Sequence, residues 1–491
     1  MGREAAVIGL TFGDTRPPFY MQSAPDQPER SLAALVAPDI LDLLETDPRS
    51  IAAETEELHP ADLADVAELI DRALVPQLLA ALPAERAAAV LEYLGEELRI
   101  ELLETMPAKQ AAALIVEMDP DERADALEEM DEHVADNILE AIPARERAET
   151  ERLLQYEADT AGGLMTTEFV SVPESQTVDE ALMTVRAIAR EGRREAMQTI
   201  YVVDAQGTLT GVMSLRELLA AAEGTRVGES AWTEIVTVPA DADRETVAQL
   251  TSNYDLVAVP VVDAERRILG VITVDDVIDV IQEEQTEDVQ KFGGLEALEE
   301  PYLQSGFFDL LRKRAGWLMI LFVGEMFTAG AMGYFEDEIA RAVVLALFVP
   351  LIISSGGNSG SQATSLIIRA MALQELRLRD WWRVVRRELV AGLALGAILG
   401  TIGVGRVLLW QRLGLYDYGE HFTRIATTVG ISLVGVVTFG TLAGSMLPFV
   451  LKRAGFDPAS ASAPFVATLV DVTGLVIYFS VAVAVLRGTL L

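Results

Sequence analysis

The sequence predicts a multidomain chain: an all-α N-terminal domain of helical repeats, an α+β tandem pair, and an α-helical membrane domain with five spans. Three observations carry this. The chain has 491 residues, too many for one ordinary domain. Residues 1–300 hold 22 Lys and Arg against 64 Asp and Glu, a net of −42, whereas residues 301–491 hold 16 against 12, a net of +4. That second part also contains five apolar runs long enough to cross a hydrocarbon core, which takes about 20 residues.

Composition excludes several chemistries. There is no cysteine, so disulfides, thiolate zinc sites and cysteine nucleophiles are ruled out. The three histidines, His59, His133 and His421, are too scattered for an imidazole metal site, so any metal is held by oxygen, as Mg²⁺ or Ca²⁺ would be. A net charge of −38 argues against a nucleic-acid partner. No nucleophile–base arrangement or phosphate loop is seen, so an enzyme is not expected.

Residues 1–30 read as a poorly ordered leader, with Pro17, Pro18, Pro25 and Pro28 and little apolar periodicity. No signal peptide is expected, because Met1–Gly13 is short and is followed by Asp14 and Arg16. Residues 31–156 read as helical. Leu79, Leu82, Ala87, Val90, Leu91 and Leu94 recur at helical spacing, and Pro60, Pro83, Pro107, Pro120 and Pro143 mark helix starts. Their spacing fits either a small helical solenoid or an irregular bundle.

Residues 157–278 change to short β runs alternating with helices. Val202-Val203-Asp204-Ala205 returns as Val261-Val262-Asp263-Ala264, and at the same offset Gly211 returns as Gly270, Ser214 as Thr273 and Glu217 as Asp276. This repeat resembles a tandem pair of CBS domains, at 157–224 and 225–278. In that family the element Gly-x-x-Ser/Thr-x-x-Asp binds the ribose of an adenine nucleotide. The resemblance therefore implies candidate nucleotide residues at Ser214, Glu217 and Thr273, with ATP as a regulator. Glu217 departs from the pattern by one methylene. The alternative is that Ser214 and Thr273 are helix N-caps.

Residues 279–314 form an acidic connecting helix and linker. Asp276, Asp279, Glu283 and Glu287 share one helical face, and Lys291 is the only base between Asp275 and Glu300. Divalent cations would relieve that face; a solvated acidic helix is the plainer alternative. Its position directly before the first span favours a gating role.

The membrane domain covers 315–491, with spans at Ala315–Phe335, Ile339–Ile368, Leu389–Trp410, Ile425–Val450 and Ala461–Leu486. Basic residues precede the first span (Arg312, Lys313, Arg314), crowd the connection after the second (Arg369 to Arg387) and follow the fourth (Lys452, Arg453). Basic loops stay cytoplasmic, which puts the N-terminus inside and the C-terminus outside. Asp471 lies near the middle of the fifth span, where a carboxylate is costly and usually faces a polar pathway or ties two helices together. Glu325 in the first span could pair with a basic loop residue. The run Ser354–Gln362 reads as irregular backbone offering carbonyls to an ion, with close helix packing through Gly356 and Gly360 as the alternative.

With these elements placed, the chain from residue 31 onward resembles an MgtE-type magnesium transporter. The motifs are His59-Pro60-Ala61-Asp62-Leu63-Ala64-Asp65, Ala161-Gly162-Gly163-Leu164-Met165-Thr166, Tyr254-Asp255, Val271 to Val277, Gly356-Gly357-Asn358 with Gln362, and Val466 to Gly474 around Asp471. The resemblance implies a homodimeric, Mg²⁺-selective channel of the inner cell membrane. Its pore metal site would use Asp471 and backbone oxygens near Gly356, Gly357 and Asn358. It also implies closure by cytosolic Mg²⁺ at sensor carboxylates: Asp121 and Asp125 in the helical domain, Glu245 and Asp255 in the second CBS copy, and Asp276, Asp279, Glu284, Glu287 and Asp288 at the connecting helix. The alternatives are transport of Co²⁺ or Mn²⁺, or a membrane-anchored sensor of Mg²⁺ or nucleotide that conducts nothing.

Overall fold

The computed structural model describes residues 32–190, 198–298, 302 and 305–490, in two compact units that divide after Val274. The leader expected over 1–30, and Glu300 of the acidic stretch, lie outside the described residues.

The first unit begins with short helices. Leu32–Thr46, Pro60–Leu69, Ala84–Glu92, Ala108–Ile115 and Glu132–Ala141 stack one on the next, and intervening helices such as Val75–Ala81 and Glu96–Thr105 link them. Packing between alternate helices is the solenoid pattern rather than a closed bundle. Leu63, Leu78, Val90, Leu91, Leu103, Ile115 and Ile138 form one continuous core. The prolines sit where helices begin because their fixed φ suits a first turn and their missing N–H costs nothing there: Pro60 and Pro120 open helices, and Pro83, Pro107 and Pro143 cap them. A second repeat was not apparent from the sequence. Glu68 accepts from the backbone N–H of Gly95 (3.1 Å), Glu92 from Asp119 (3.0 Å) and Glu104 from Asp131 (3.0 Å), each across 27 residues. One turn of the stack thus satisfies a backbone donor at or just before a helix start in the next.

The tandem pair repeats closely. Strands β1 (Val170–Pro173), β2 (Thr199–Val203) and β3 (Leu209–Ser214) form one sheet, with β1 parallel to β2 and β2 antiparallel to β3. Strands β4 (Val238–Pro239), β5 (Ala258–Val262) and β6 (Ile268–Thr273) repeat that topology, and the register shift at Val202/Val203 recurs at Val261/Val262. The turns match too. Asp204 accepts from Gln206 and Thr208, and Asp263 from Glu265 and Arg267. The left-handed position is Gly207 in the first turn (φ 83°) and Arg266 in the second (φ 61°). The second copy thus holds a conformation that favours glycine with an arginine.

The second unit contains most of the connecting helix Val274–Phe292 and five helices long and apolar enough to cross a membrane. These are Phe307–Tyr334, Val349–Ala372, Trp381–Leu413, Phe422–Ala454 and Ala463–Leu486. The expected Ile339–Ile368 is not one helix. A short helix Glu336–Arg341 ends at Ala342, a 3-10 turn covers Val343–Phe348, and the second span starts at Val349 with Pro350 in its first turn. The first and third helices begin earlier than their apolar cores, because basic residues continue the helix beyond the hydrocarbon. Glycines set the spacing of the third and fourth spans: a Cβ at Gly392 would stand 2.9 Å from Thr438, at Gly396 2.7 Å from Val434, and at Gly400 2.9 Å from the carbonyl of Gly430.

Candidate ion pathway and regulatory carboxylates

The second, fourth and fifth spans meet through small residues. A Cβ on Gly356 would lie 2.5 Å from Val436 and 2.8 Å from Val470, and one on Gly440 would lie 2.3 Å from the Gly356 carbonyl. One turn further, Gly360 faces Gly440 and Val466, and Gly444 faces the Gly360 carbonyl. Ser359 and Thr441 share a hydroxyl hydrogen bond of 2.8 Å, and Thr364 donates to the carbonyl of Gly444 at 2.9 Å. Between Val349 and Ala372 the backbone is regular α-helix. This corrects the expectation of an opened segment at Ser354–Gln362. The glycines let backbones approach, and the carbonyl of Gly356 abuts the fourth span rather than facing an open path. Gly357 is likewise buried, 3.6 Å from Ala467 by its missing Cβ.

Three polar side chains of this run lie outside that packed face. Ser354, Asn358 and Gln362, each one turn apart, are exposed on the single chain, and Asn358 reaches Ser354 at 3.5 Å. Asp471 follows Val470, the residue packed on Gly356, so it lies close to the same depth.

Among the described residues Glu325 has no basic partner. Its carboxyl group lies within hydrogen-bond reach of Asp471. The register of the first and fifth spans explains this. Trp317 donates to Ser462 at 3.0 Å, Gly324 accommodates Thr468, and Phe335 stacks on Phe479 at 5.1 Å. Parallel packing with this stagger brings residue 325 beside residue 471. Two carboxylates that close repel one another, and a cation between them would relieve that repulsion. The sequence showed both acids in apolar spans but not that they meet.

The sensor positions are spread over separate elements. Asp121 is buried and Asp125 half-buried on helix Pro120–Glu128, where the neighbouring Arg99 bridges Glu129 (2.6 Å) and Glu122 (3.6 Å). Glu245 lies in the first turn of helix Arg244–Tyr254, and Asp255 caps its other end in a left-handed conformation, φ 52°. Asp276, Asp279, Glu284, Glu287 and Asp288 run along the connecting helix. Partial burial, with help from Asp275, raises the Asp279 carboxyl above the usual range. Among the described residues no three His, Asp or Glu side chains converge on one point that would hold a metal.

At the far end of that helix a docking contact appears that the sequence did not reveal. Lys291 bridges Glu287 and, at 2.7 Å, Asp457 in the connection between the fourth and fifth spans. Phe292 packs on Ile368, Ala459 and Ala461. Gly294 (φ 79°) turns the chain against Trp317 and Pro464.

In the first CBS copy, Ser214 caps its helix. Its hydroxyl accepts from the Glu217 N–H, and Glu217 accepts from the Ser214 N–H (2.8 Å) and from the Trp232 indole (2.7 Å). These bonds hold the Glu217 carboxyl below its usual range. Both of its oxygens therefore already have protein partners, as the N-cap alternative requires. Thr273 is buried at the end of β6.

Comparison with known proteins agrees with this architecture. Residues 349–481 match the family of MgtE divalent cation transporters, 58–159 the MgtE intracellular N domain, and 161–224 and 227–283 the CBS domain. The chain is 42% identical over 443 residues to the magnesium transporter MgtE of Thermus thermophilus, covering 90% of this chain and 96% of that one. It is 34% identical to the magnesium transporter MgtE of Enterococcus faecalis, over 70% of this chain and 73% of that one. A crystal structure of the cytosolic domain of the Mg²⁺ channel MgtE in complex with ATP aligns at 40% identity and TM-score 0.47, over 50% of this chain and 99% of that one. The helical domain, CBS pair and five apolar helices, with this likeness over nine-tenths of the sequence, make the chain a multi-pass membrane protein with a cytosolic N-terminal region, a member of the MgtE family of magnesium transporters.

Proposed function

We propose that the chain is a Mg²⁺-selective uptake channel of the cell (inner) membrane that works as a homodimer and is closed by cytosolic Mg²⁺. The observation that carries the pathway is the mid-membrane meeting of Asp471 and Glu325, level with the exposed stripe Ser354, Asn358 and Gln362. Such a polar face is too costly to leave in hydrocarbon. A second copy covering it would place two Asp471 carboxylates across one route. Oxygen donors without sulfur or imidazole suit a hard cation, and Mg²⁺ sheds water reluctantly, so the ion would pass largely hydrated. Gly356 and Gly357 hold the helices together there; Asn358 and Asp471 supply the polar contacts. The C-terminus then lies outside.

Closure follows from charge. Mg²⁺ bridging the acidic surfaces at Asp121, Asp125, Glu245, Asp255 and Asp276 to Asp288 would stabilise the closed state, and its loss would let them repel. By linkage, the ion must bind the closed state more tightly than the open one. An adenine nucleotide regulator belongs to the second CBS copy, at Thr273, because Glu217 is committed to its cap and to Trp232.

The pathway is tested by Mg²⁺ flux into liposomes containing the full chain. Asp471→Asn should reduce flux at least about ten-fold, the loss expected from a ligand at the rate-limiting site. Unchanged flux in a folded variant would remove Asp471 from the route. Transport of Co²⁺ or Mn²⁺ is the second reading, supported by the same oxygen donors, and competition by those ions in this assay measures it.

A further inference from the structure

The cytoplasmic end of the third span carries a basic, aromatic surface that the transport reading does not use. Arg369, Arg377, Arg379, Arg383, Arg386 and Arg387 are all exposed. Among the described residues only Arg383 of these makes a salt bridge, to Asp380 at 3.1 Å. Trp381 and Trp382 are 50% and 49% exposed, and the Arg386 guanidinium lies 5.4 Å over the Trp382 ring.

The same helix shows what this surface faces. Trp382, Arg386, Val390 and Leu393 follow at helical spacing on one side, and Val390 and Leu393 are exposed. The helix packs on the fourth span through Gly392, Gly396 and Gly400, whereas Val390 and Leu393 stay out of that contact. The exposed apolar side is the one that meets lipid chains. Arg386 stands one turn, about 6 Å, on the cytoplasmic side of Val390. That is headgroup depth, where tryptophan also prefers to sit.

We propose that this surface binds the phosphate groups of anionic phospholipids in the cytoplasmic leaflet. Guanidinium groups present paired donors that match phosphate oxygens, and the adjoining apolar stripe meets the acyl chains of the same lipid. Charge gives a reason for the site. Residues 1–300 carry a net −42 and are repelled by an anionic membrane surface. A collar of arginines supplies the local positive charge that lets anionic lipid stay bound beside so acidic a chain.

The test is lipid retention by the full chain, extracted from membranes of equal phosphatidylglycerol and phosphatidylcholine and read by native mass spectrometry. The chain should retain phosphatidylglycerol at least about three-fold over phosphatidylcholine. Replacing Arg377, Arg379, Arg386 and Arg387 together by Gln should abolish the preference, whereas replacing the same four by Lys should keep most of it. In the unaltered chain the preference should weaken as salt rises from about 0.1 M to about 1 M, where the screening length falls from about 10 Å to about 3 Å. Excess inorganic phosphate should not displace the lipid. Four results overturn the proposal: no preference in the unaltered chain, equal preference in a folded Gln variant, indifference to salt, or displacement by inorganic phosphate, which would mark a general anion site. The salt series and the phosphate competition, both on the unaltered chain, decide the matter even if the Gln variant does not fold.

Discussion

A side chain at Gly360 would stand 2.8 Å from Val466 and 2.9 Å from the carbonyl of Gly440, and one at Gly444 would stand 2.2 Å from the carbonyl of Gly360. Backbone cannot step aside as a flexible side chain can. Gly360→Leu should therefore destabilise the membrane domain by more than the ~1–3 kcal/mol usual for overpacking, read as early thermal unfolding in detergent. An unchanged midpoint would mean that the second and fourth spans separate easily. Spacing alone showed that Gly356 and Gly360 share a helix face, but not whether that face served packing or an ion, because the answer lies in the fourth span. Glu92 is a second case that only the structure exposes. Burial, and then the charge of Asp119, push its carboxyl up to about 7. An unfolded Glu titrates near 4.3, so the folded state holds the proton more tightly. That contribution favours folding at low pH and is lost as pH rises from about 4.5 through about 7. Glu92→Gln keeps an acceptor for the Asp119 N–H and should gain about 1–3 kcal/mol relative to the parent above pH 7, with no gain near pH 4.5. Hydrogen-exchange protection of helix Ala84–Glu92 at the two pH values measures this.

Among elements, the connecting helix and the repeats show where the sequence was informative. The CBS repeat was legible because strand, turn and bulge recur at a fixed offset, and local chemistry at Asp204 and Asp263 shapes each turn in the same way. The helical domain was legible as helices but not as a stack, since nothing local tells alternate-helix packing from bundle packing. The acidic face of the connecting helix was visible, yet its docking was not. Lys291 read as a lone base, and its partner Asp457 lies 166 residues away. Lys291→Met should loosen that end by about 0.5–1 kcal/mol, the range for a partly exposed ion pair, giving roughly two- to five-fold faster hydrogen exchange over residues 286–292. If exchange there does not change, Phe292 alone holds the helix end.

Over the whole molecule, the charge split is the organising fact. An acidic cytosolic region precedes a membrane domain that is close to neutral, and the sequence is 42% identical to a magnesium transporter over 90% of its length. The five spans were legible from hydropathy, because backbone in lipid must be helical wherever apolar runs are long enough. The start of the second span was not, because Val343–Phe348 is as apolar as the span itself yet forms a 3-10 turn before the helix begins at Val349. The meeting of Glu325 with Asp471 required the register of two spans, the two residues being 146 apart in sequence. The measurement that tests the account most directly is Mg²⁺ flux through the full chain in liposomes as Mg²⁺ on the soluble-domain side is varied. The account predicts that flux falls as that Mg²⁺ rises, and that replacing Asp276, Asp279 and Glu287 by their amides lifts the inhibition. Flux indifferent to Mg²⁺ on that side, or no flux at low Mg²⁺ from a folded protein, would contradict it.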